Sequence, residues 1–235
     1  MLISEIYNCL QGEGPLRGTP SVLIRTSICN LRCSFKDGSF CDTPYTSWDP
    51  EQHTNMSPSQ ILKKTRELAG NLIRYVIISG GEPTCWSEEL LELSDDLQSE
   101  FHVTLETNGT KFLEFDPGSL LVSVSPKLNS SVPFGTAHEK MHQANRLNIS
   151  ALTSYISDYD SYLKFVVTSL EDLEEIKMIQ KETKCPNDRI YLMPEGMDPQ
   201  SINDKKRWIA NLCLEHGYKF TSREHVDIFG NKRGV

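Results

Sequence analysis

The sequence predicts an α/β fold: a partial β/α barrel of about six parallel strands with helices outside. Three observations predict it. Short β-rich apolar runs alternate with amphipathic helical patterns, the signature of crossover units and a parallel sheet. One run, 73–79 (IRYVIIS), is almost continuously apolar, as expected of a strand covered on both faces. The 235 residues fit one large domain and fall a little short of the roughly 250 typical of a complete eight-fold barrel.

The first strand of that set is 21–26 (SVLIRT). A long loop, 29–56, follows it, and loops of that length usually carry function. Ser57, Pro58 and Gln60 then supply an N-cap, a first-turn proline and a capping-box glutamine for a helix carrying Ile61, Leu62 and Leu68. After the strand at 73–79, Ser87 is read as the cap of a helix carrying Leu90, Leu91, Leu93 and Leu97. Strands follow at 102–106, 120–125, 162–167 and 189–193, with helical stretches near 138–147 and 171–181. Residues 129–135 read as an irregular excursion. A last helix, about 200–216, ends at Gly217, a good C-cap residue.

The composition is that of an ordinary soluble chain, with 24% charged and 38% hydrophobic residues. A net charge of -8 argues against a broad nucleic-acid-binding surface. No apolar run is long enough for a transmembrane helix, and the N-terminus lacks a signal-peptide pattern. Seven cysteines, odd in number and partly clustered, point to a metal site in a reduced cytoplasm and not to a disulfide framework.

The cluster is Cys29, Cys33 and Cys41. Structural zinc normally takes four protein ligands, so three cysteines with no fourth nearby suit it poorly. Three thiolates can hold a cubic iron–sulfur cluster and leave one iron open to a small molecule. Scattered free thiols or a degenerate zinc site remain the plain alternatives. Polar or glycine-rich motifs close four of the other five strands: Ser79, Gly80, Gly81, Glu82 and Pro83; Glu106, Thr107, Asn108 and Gly109; Ser125, Pro126 and Lys127; Met193, Pro194, Glu195 and Gly196. Each alone could be a turn. Together, at the C-terminal ends of parallel strands, they suggest a shared mouth. Cys9, Cys185 and Cys213 read as core residues. Cys85 sits near a strand end without being a ligand. His53, His102, His138, His142 and His216 show no ligand spacing.

These residues resemble the radical S-adenosylmethionine (SAM) enzymes, and specifically the 7-carboxy-7-deazaguanine synthase family. The match begins at Glu5, Ile6, Tyr7 and the Gln11-Gly12-Glu13-Gly14 motif. It continues through the cysteines, Asp42, Thr43 and the strand-end motifs, and finishes with 229–235 (FGNKRGV). One departure stands out. The superfamily spacing is Cys-x3-Cys-x2-Cys; here seven residues separate Cys33 from Cys41, and Lys36 stands where the third cysteine would be.

The resemblance implies a partial barrel of the radical SAM kind, with 1–235 as one domain and a substrate-capping tail at 221–235. It implies a 4Fe–4S cluster on Cys29, Cys33 and Cys41, and Mg²⁺ on Thr43. SAM would lie against Phe40, Cys41, Asp42, Gly81, Glu106, Asn108, Ser125, Pro126, Lys127, Met193, Pro194, Glu195 and Gly196. The substrate, 6-carboxy-5,6,7,8-tetrahydropterin, would meet Leu10, Gln11, Gly12, Glu13, Arg25, Ser79, His225 and Val235, with Arg25 on its carboxylate. A radical drawn from SAM would take the hydrogen from carbon 6, the ring would contract and ammonia would leave, giving 7-carboxy-7-deazaguanine for queuosine-type 7-deazapurine synthesis. SAM would be reused, making the enzyme a carbon–nitrogen lyase. A homodimer and a flavodoxin- or ferredoxin-type electron donor are also implied. Two other readings compete: a glycyl-radical-enzyme activase, which lacks the Gln11–Gly14 motif and the basic tail, and a non-catalytic metal-binding adaptor, which would carry zinc.

Overall fold

A computed structural model describes all 235 residues except Asp37, Trp48, Asp49, Glu51, Pro117, Asn231 and Val235. The chain opens with β1 (Leu2–Leu10) and β2 (Pro20–Thr26), an antiparallel pair, and the short α1 (Pro44–Ser47) lies in the loop that follows. Next come β3 (Thr54–Asn55), α2 (Pro58–Ala69), β4 (Tyr75–Gly80), α3 (Ser87–Gln98), β5 (His102–Thr107) and β6 (Leu120–Val124). Then follow α4 (Glu139–Asn145), α5 (Ile149–Asp158), β7 (Asp160–Val167), α6 (Asp172–Thr183), β8 (Ile190–Pro194), α7 (Pro199–His216), β9 (Lys219–Phe220) and α8 (Glu224–Phe229).

Among the described residues the sheet has nine strands in the order β3-β1-β2-β4-β5-β6-β7-β8-β9, with β3 and β9 at its two edges. From β2 to β9 every pairing is parallel. This is the expected partial barrel, extended at one edge by β1 and β3 and at the other by β9. Those three strands escape sequence reading for different reasons. β1 mixes Glu5, Asn8 and Cys9 into its apolar residues and shows no clean alternation, while β3 and β9 are two residues long.

Strand periodicity divides the sheet into two chemistries. On one face Val22, Ile24, Val76, Ile78, Val103, Leu105, Val122, Val124, Leu163, Phe165, Ile190 and Leu192 join a single apolar core. The helices cover it with Ile61, Leu90, Leu93, Leu97, Leu152, Tyr155, Ile176, Ile179 and Ile209. The alternate positions, including Arg25, Ser79, Glu106, Lys164 and Met193, stay out of that core and face inward.

Local signals explain most helix ends. The Ser57 side chain accepts from the Gln60 N–H while Gln60 accepts from the Ser57 N–H, a capping box worth about 1 kcal/mol. Gly217 closes α7 in the left-handed conformation at φ 69°. Ser87 is not the cap of α3 but its first residue. A 3₁₀ turn (Pro83–Trp86) leads directly into the helix, and the Ser87 hydroxyl donates to the Thr84 carbonyl at 3.0 Å. The helical stretch read near 138–147 is α4; the helix that follows it, α5, was not read from the sequence, although Asn148 caps it.

Candidate active site

The inward strand positions and the loops at the strands' C-terminal ends enclose one open cleft with about 1580 Å³ of empty space. Its walls include Cys29, Cys33, Cys41, Thr43, Ser79, Gly81, Glu106, Asn108, Ser125, Lys127 and Met193. Leu10, Gln11, Gly12, Glu13, Arg25 and His225 complete it. A smaller recess adjoins it, lined by Phe40, Pro126, Pro194, Glu195 and Gly196. Cys33, Cys41, Asp42, Lys127, Met193 and Arg223 form the boundary between the two. The convergence expected of the strand-end motifs is therefore present. Val235 lies outside the described residues.

The cysteine loop starts from a strained backbone. Ile28 is β-branched yet sits at φ 76°, a costly conformation that persists only where its surroundings hold it. Two hydrogen bonds hold it: its N–H donates to the Thr46 carbonyl at 2.6 Å, and its carbonyl accepts from the Glu82 N–H at 2.8 Å. Gly81 lies flush against this segment. A Cβ there would stand 2.1 Å from the Ile28 oxygen, so only glycine fits. The described residues of the gap form a small hairpin. Ser34 bridges to Phe40, the Phe35 N–H donates to the Ser39 carbonyl at 2.8 Å, and Gly38 takes φ 87°. The hairpin returns Cys41 to Cys33, where the Cys41 N–H donates to the Cys33 carbonyl at 3.1 Å. The insertion thus lengthens the loop without displacing its third sulfur from the cleft. Ser39 also donates to the Glu195 carboxylate at 3.1 Å, and Lys205 pairs with that carboxylate at 2.5 Å, pinning the hairpin to the end of β8.

The three sulfurs do not converge on a point of single-ion size. Among the described residues no three His, Cys, Asp or Glu side chains do. They share one cavity wall and feel one another's charge. Three half-buried thiols on one cavity wall match the donor set of an iron–sulfur cluster held by three cysteines. Burial pushes the Cys33 thiol up to about 12, against the pull of Lys127, so iron must displace a proton as it binds. Of the other thiols, Cys185 and Cys213 are buried as expected. Cys9 is not a core residue: it stands on β1 in the cleft wall, half-buried.

His142 supports the loop from below. It is fully buried, its Nδ1 accepts from the Arg32 N–H at 3.1 Å, and its Nε2 meets the Ser131 hydroxyl at 3.2 Å. Burial first, then the charges of Arg146 and Lys127, hold its pKa down at about 4. An unfolded histidine takes its proton near 6.5. Stability supplied by neutral His142 is therefore complete above pH 6.5 and is lost as pH falls toward 4. Melting curves are expected to show a fall in Tm over that window, and a shallower fall for His142→Gln, whose amide oxygen can still accept from Arg32.

Glu82 locks two strand ends together. One oxygen accepts from the Thr84 N–H and hydroxyl and from the Thr107 hydroxyl (2.6 Å), while the other accepts from the Asn108 N–H at 2.6 Å. The Asn108 amide then donates to Asn30, beside Cys29, at 2.8 Å. Asn108 thus ties β5 to the cysteine loop. Glu106 points toward the other end of the cleft: it accepts from Ser79 at 2.7 Å and from Gln11 at 3.2 Å. Lys127 donates to the Ser125 hydroxyl at 3.1 Å on the boundary with the recess.

The Gln11–Gly14 loop is clasped by the segment after β9. The Gly14 N–H donates to the Thr221 hydroxyl at 2.8 Å, and the Glu224 N–H to the Gly12 carbonyl at 2.9 Å. The His225 ring packs on Gly12 so closely that a Cβ there would lie 1.8 Å from it. Arg25 is oriented by Tyr7 at 3.2 Å and Glu5 at 3.4 Å. Glu13 is bonded by Lys164 and by Arg223 at 3.3 Å. Burial acts to raise its pKa, but those two cations outweigh it and hold the carboxyl at about 2. Arg223 also bonds the Asp42 carboxylate, again overcoming burial to keep that group ionised. Sequence reading missed Lys164, Arg223 and Glu82 as site residues. Lys164 did leave a signal, being a charge at an inward position of an otherwise apolar strand.

A family model described as the Radical SAM superfamily matches residues 23–116. A 7-carboxy-7-deazaguanine synthase from Rhodopirellula baltica is 39% identical over 242 aligned positions, covering 100% of this chain and 89% of that protein. One from Halobacterium salinarum is 37% identical, covering 97% and 90%. The chain belongs to the 7-carboxy-7-deazaguanine synthase family. It is a radical SAM enzyme, and that chemistry carries a 4Fe–4S cluster and SAM as cofactors. The crystal structure of QueE from Escherichia coli superposes with a TM-score of 0.72 at 25% identity, covering 95% of this chain and 94% of that one. Streptococcus suis SuiB bound to precursor peptide SuiA is 16% identical with a TM-score of 0.56, a likeness of fold alone. No helix among the described residues is long and apolar enough to cross a membrane.

Proposed function

We propose that this enzyme converts 6-carboxy-5,6,7,8-tetrahydropterin to 7-carboxy-7-deazaguanine with loss of ammonia, in queuosine-type 7-deazapurine synthesis. One observation carries the reading beyond family membership: the Gln11–Gly14 loop and Arg25 face the same cleft as the three cysteines. Cys29, Cys33 and Cys41 would hold the cluster, and SAM would extend from it along Gly81, Ser125 and Lys127 into the recess at Phe40, Pro126 and 193–196. When bound, these two cofactors supply the radical chemistry, and the chain binds, orients and excludes water.

Arg25, already oriented by Tyr7 and Glu5, offers its guanidinium to the pterin carboxylate. The Glu106 carboxylate, fixed by Ser79 and Gln11, offers acceptor capacity to the N–H edge of the ring. Gly12 gives the flat substrate a wall without a side chain, backed by His225. The segment 221–235 would cap this end, as part of a single radical SAM domain spanning 1–235. Thr43, whose hydroxyl stands 3.6 Å from the Cys41 sulfur, would hold Mg²⁺, with the remaining oxygen ligands coming from substrate and water. The protein would act in the cytoplasm, as a homodimer, with a small flavin or iron–sulfur protein supplying electrons.

The test is anaerobic reconstitution with iron and sulfide, followed by incubation with the carboxytetrahydropterin, SAM and reductant. Deazaguanine absorbance and ammonia are expected together; the absence of both removes the assignment. Thr43→Ala is expected to lose at least about tenfold in rate and all stimulation by added Mg²⁺. Full activity of that variant in chelator would remove the metal assignment.

A further inference from the structure

We propose that Arg223 is a positioning residue that couples the pterin end of the cleft to the SAM end. The inference rests on the function proposed above. Arg223 divides its guanidinium among three separate loops. Its Nε lies 3.3 Å from the Glu13 carboxylate, in the loop that meets the pterin. One terminal nitrogen donates to the Gly196 carbonyl at 2.6 Å, at the end of β8 where SAM would lie. The other bonds Asp42, the residue after the third cysteine. Its side chain is 11% exposed, and it lines both the main cleft and the recess.

Each of these loops would be a poor partner alone. Glu13 and Asp42 are two carboxylates that face one guanidinium across the boundary, so their like charges repel each other. The guanidinium between them neutralises that repulsion. Its planar fork has donors in three fixed directions, which an ammonium lacks. Glu13 has a second cation, Lys164, but Lys164 makes no bond to Asp42 or to Gly196 among the described contacts. Arg223 is therefore the link that makes the position of the Gln11–Gly14 loop depend on the position of the Cys41–Asp42 and 194–196 segments. A ligand that orders one side of this link lowers the cost of ordering the other, so the two ligands favour each other.

Such coupling is reciprocal and has a readout that does not require turnover. With the cluster reconstituted and kept oxidised, equilibrium dialysis gives the SAM dissociation constant with and without saturating pterin, and the converse. In the wild type each ligand is expected to tighten the other by the same factor, about tenfold. In Arg223→Lys the factor is expected to fall to near one, with iron content retained. Under reducing conditions the same variant should release several-fold more 5′-deoxyadenosine per product formed, because SAM cleavage is no longer tied to a correctly seated pterin. Arg189→Lys is the control: it disturbs a half-buried arginine bonded to the Ile156, Tyr159 and Ser161 carbonyls, outside the cleft, and should lower Tm while leaving the factor unchanged. An unchanged factor in both Arg223→Lys and Arg223→Met overturns the proposal. So does failure of both variants to fold or load iron, which makes Arg223 a structural clamp only. If the wild type neither binds the pterin nor forms product, it is the proposed function that fails; if it does both and the two Arg223 variants keep the factor, only the coupling fails.

Discussion

Gly81→Ala is expected to cost about 3 kcal/mol of stability and to lower Tm by roughly 6–12 °C. The cause is local and hard to relieve. The new Cβ would stand 2.1 Å from the Ile28 oxygen and 2.6 Å from its carbonyl carbon, both backbone atoms. The segment cannot simply swing away. Gly81 and Glu82 donate their N–H groups to the Thr26 and Ile28 carbonyls, and Ile28 is already held at a positive φ. Relief must come by moving Cys29, one residue further on. Iron content per chain is therefore expected to fall along with Tm. A variant that melts earlier but loads a full cluster would separate the turn from the cysteine loop and refute this account.

The second large effect concerns the sulfurs. Cys29→Ala, Cys33→Ala and Cys41→Ala are each expected to lower 5′-deoxyadenosine formation by more than about 100-fold, beyond what removal of a supporting residue costs. Cys9→Ser and Cys85→Ser should keep wild-type iron content. The contrast is informative because Cys9 lines the same cleft. It stands near Arg25 and Glu106 instead of near the other thiols, and that placement, not thiol chemistry, excludes it from the cluster. Loss of iron in Cys9→Ser would require a different ligand set.

The fold was legible in the sequence where residues punctuate it. Six parallel strands could be located because glycine, proline and polar motifs stop each apolar run, and the stops are themselves the site. Strands without such a contrast were not legible: β1 carries polar residues on both faces, and β3 and β9 are two residues long, too short to show a pattern. The same division applies to the site. Cys29, Gly81 and Asn108 announce themselves through local motifs. Arg223 does not, because its partners Asp42 and Glu13 lie 181 and 210 residues away and no local pattern reports them. Glu82 was visible as part of Gly-Gly-Glu-Pro, but its role as a hub joining β4 to β5 depends on Thr107 and Asn108 from another strand. The inserted hairpin was visible as extra length. That it returns Cys41 to Cys33 is decided by backbone pairing.

The clasp between the Gln11–Gly14 loop and the segment after β9 has a consequence in time. Gly14 and Thr221 are 207 residues apart, and Asp42 waits for Arg223 across 181. At about 5–20 residues per second, synthesis places roughly 10–40 s between the emergence of the two members of that second pair. Throughout that interval the nascent chain presents its cysteine loop with no wall on the pterin side. The closing contacts span nearly the whole chain, so they carry a high loop-closure cost and wait for the last residues to be made. The pocket that would contain a radical is therefore finished last.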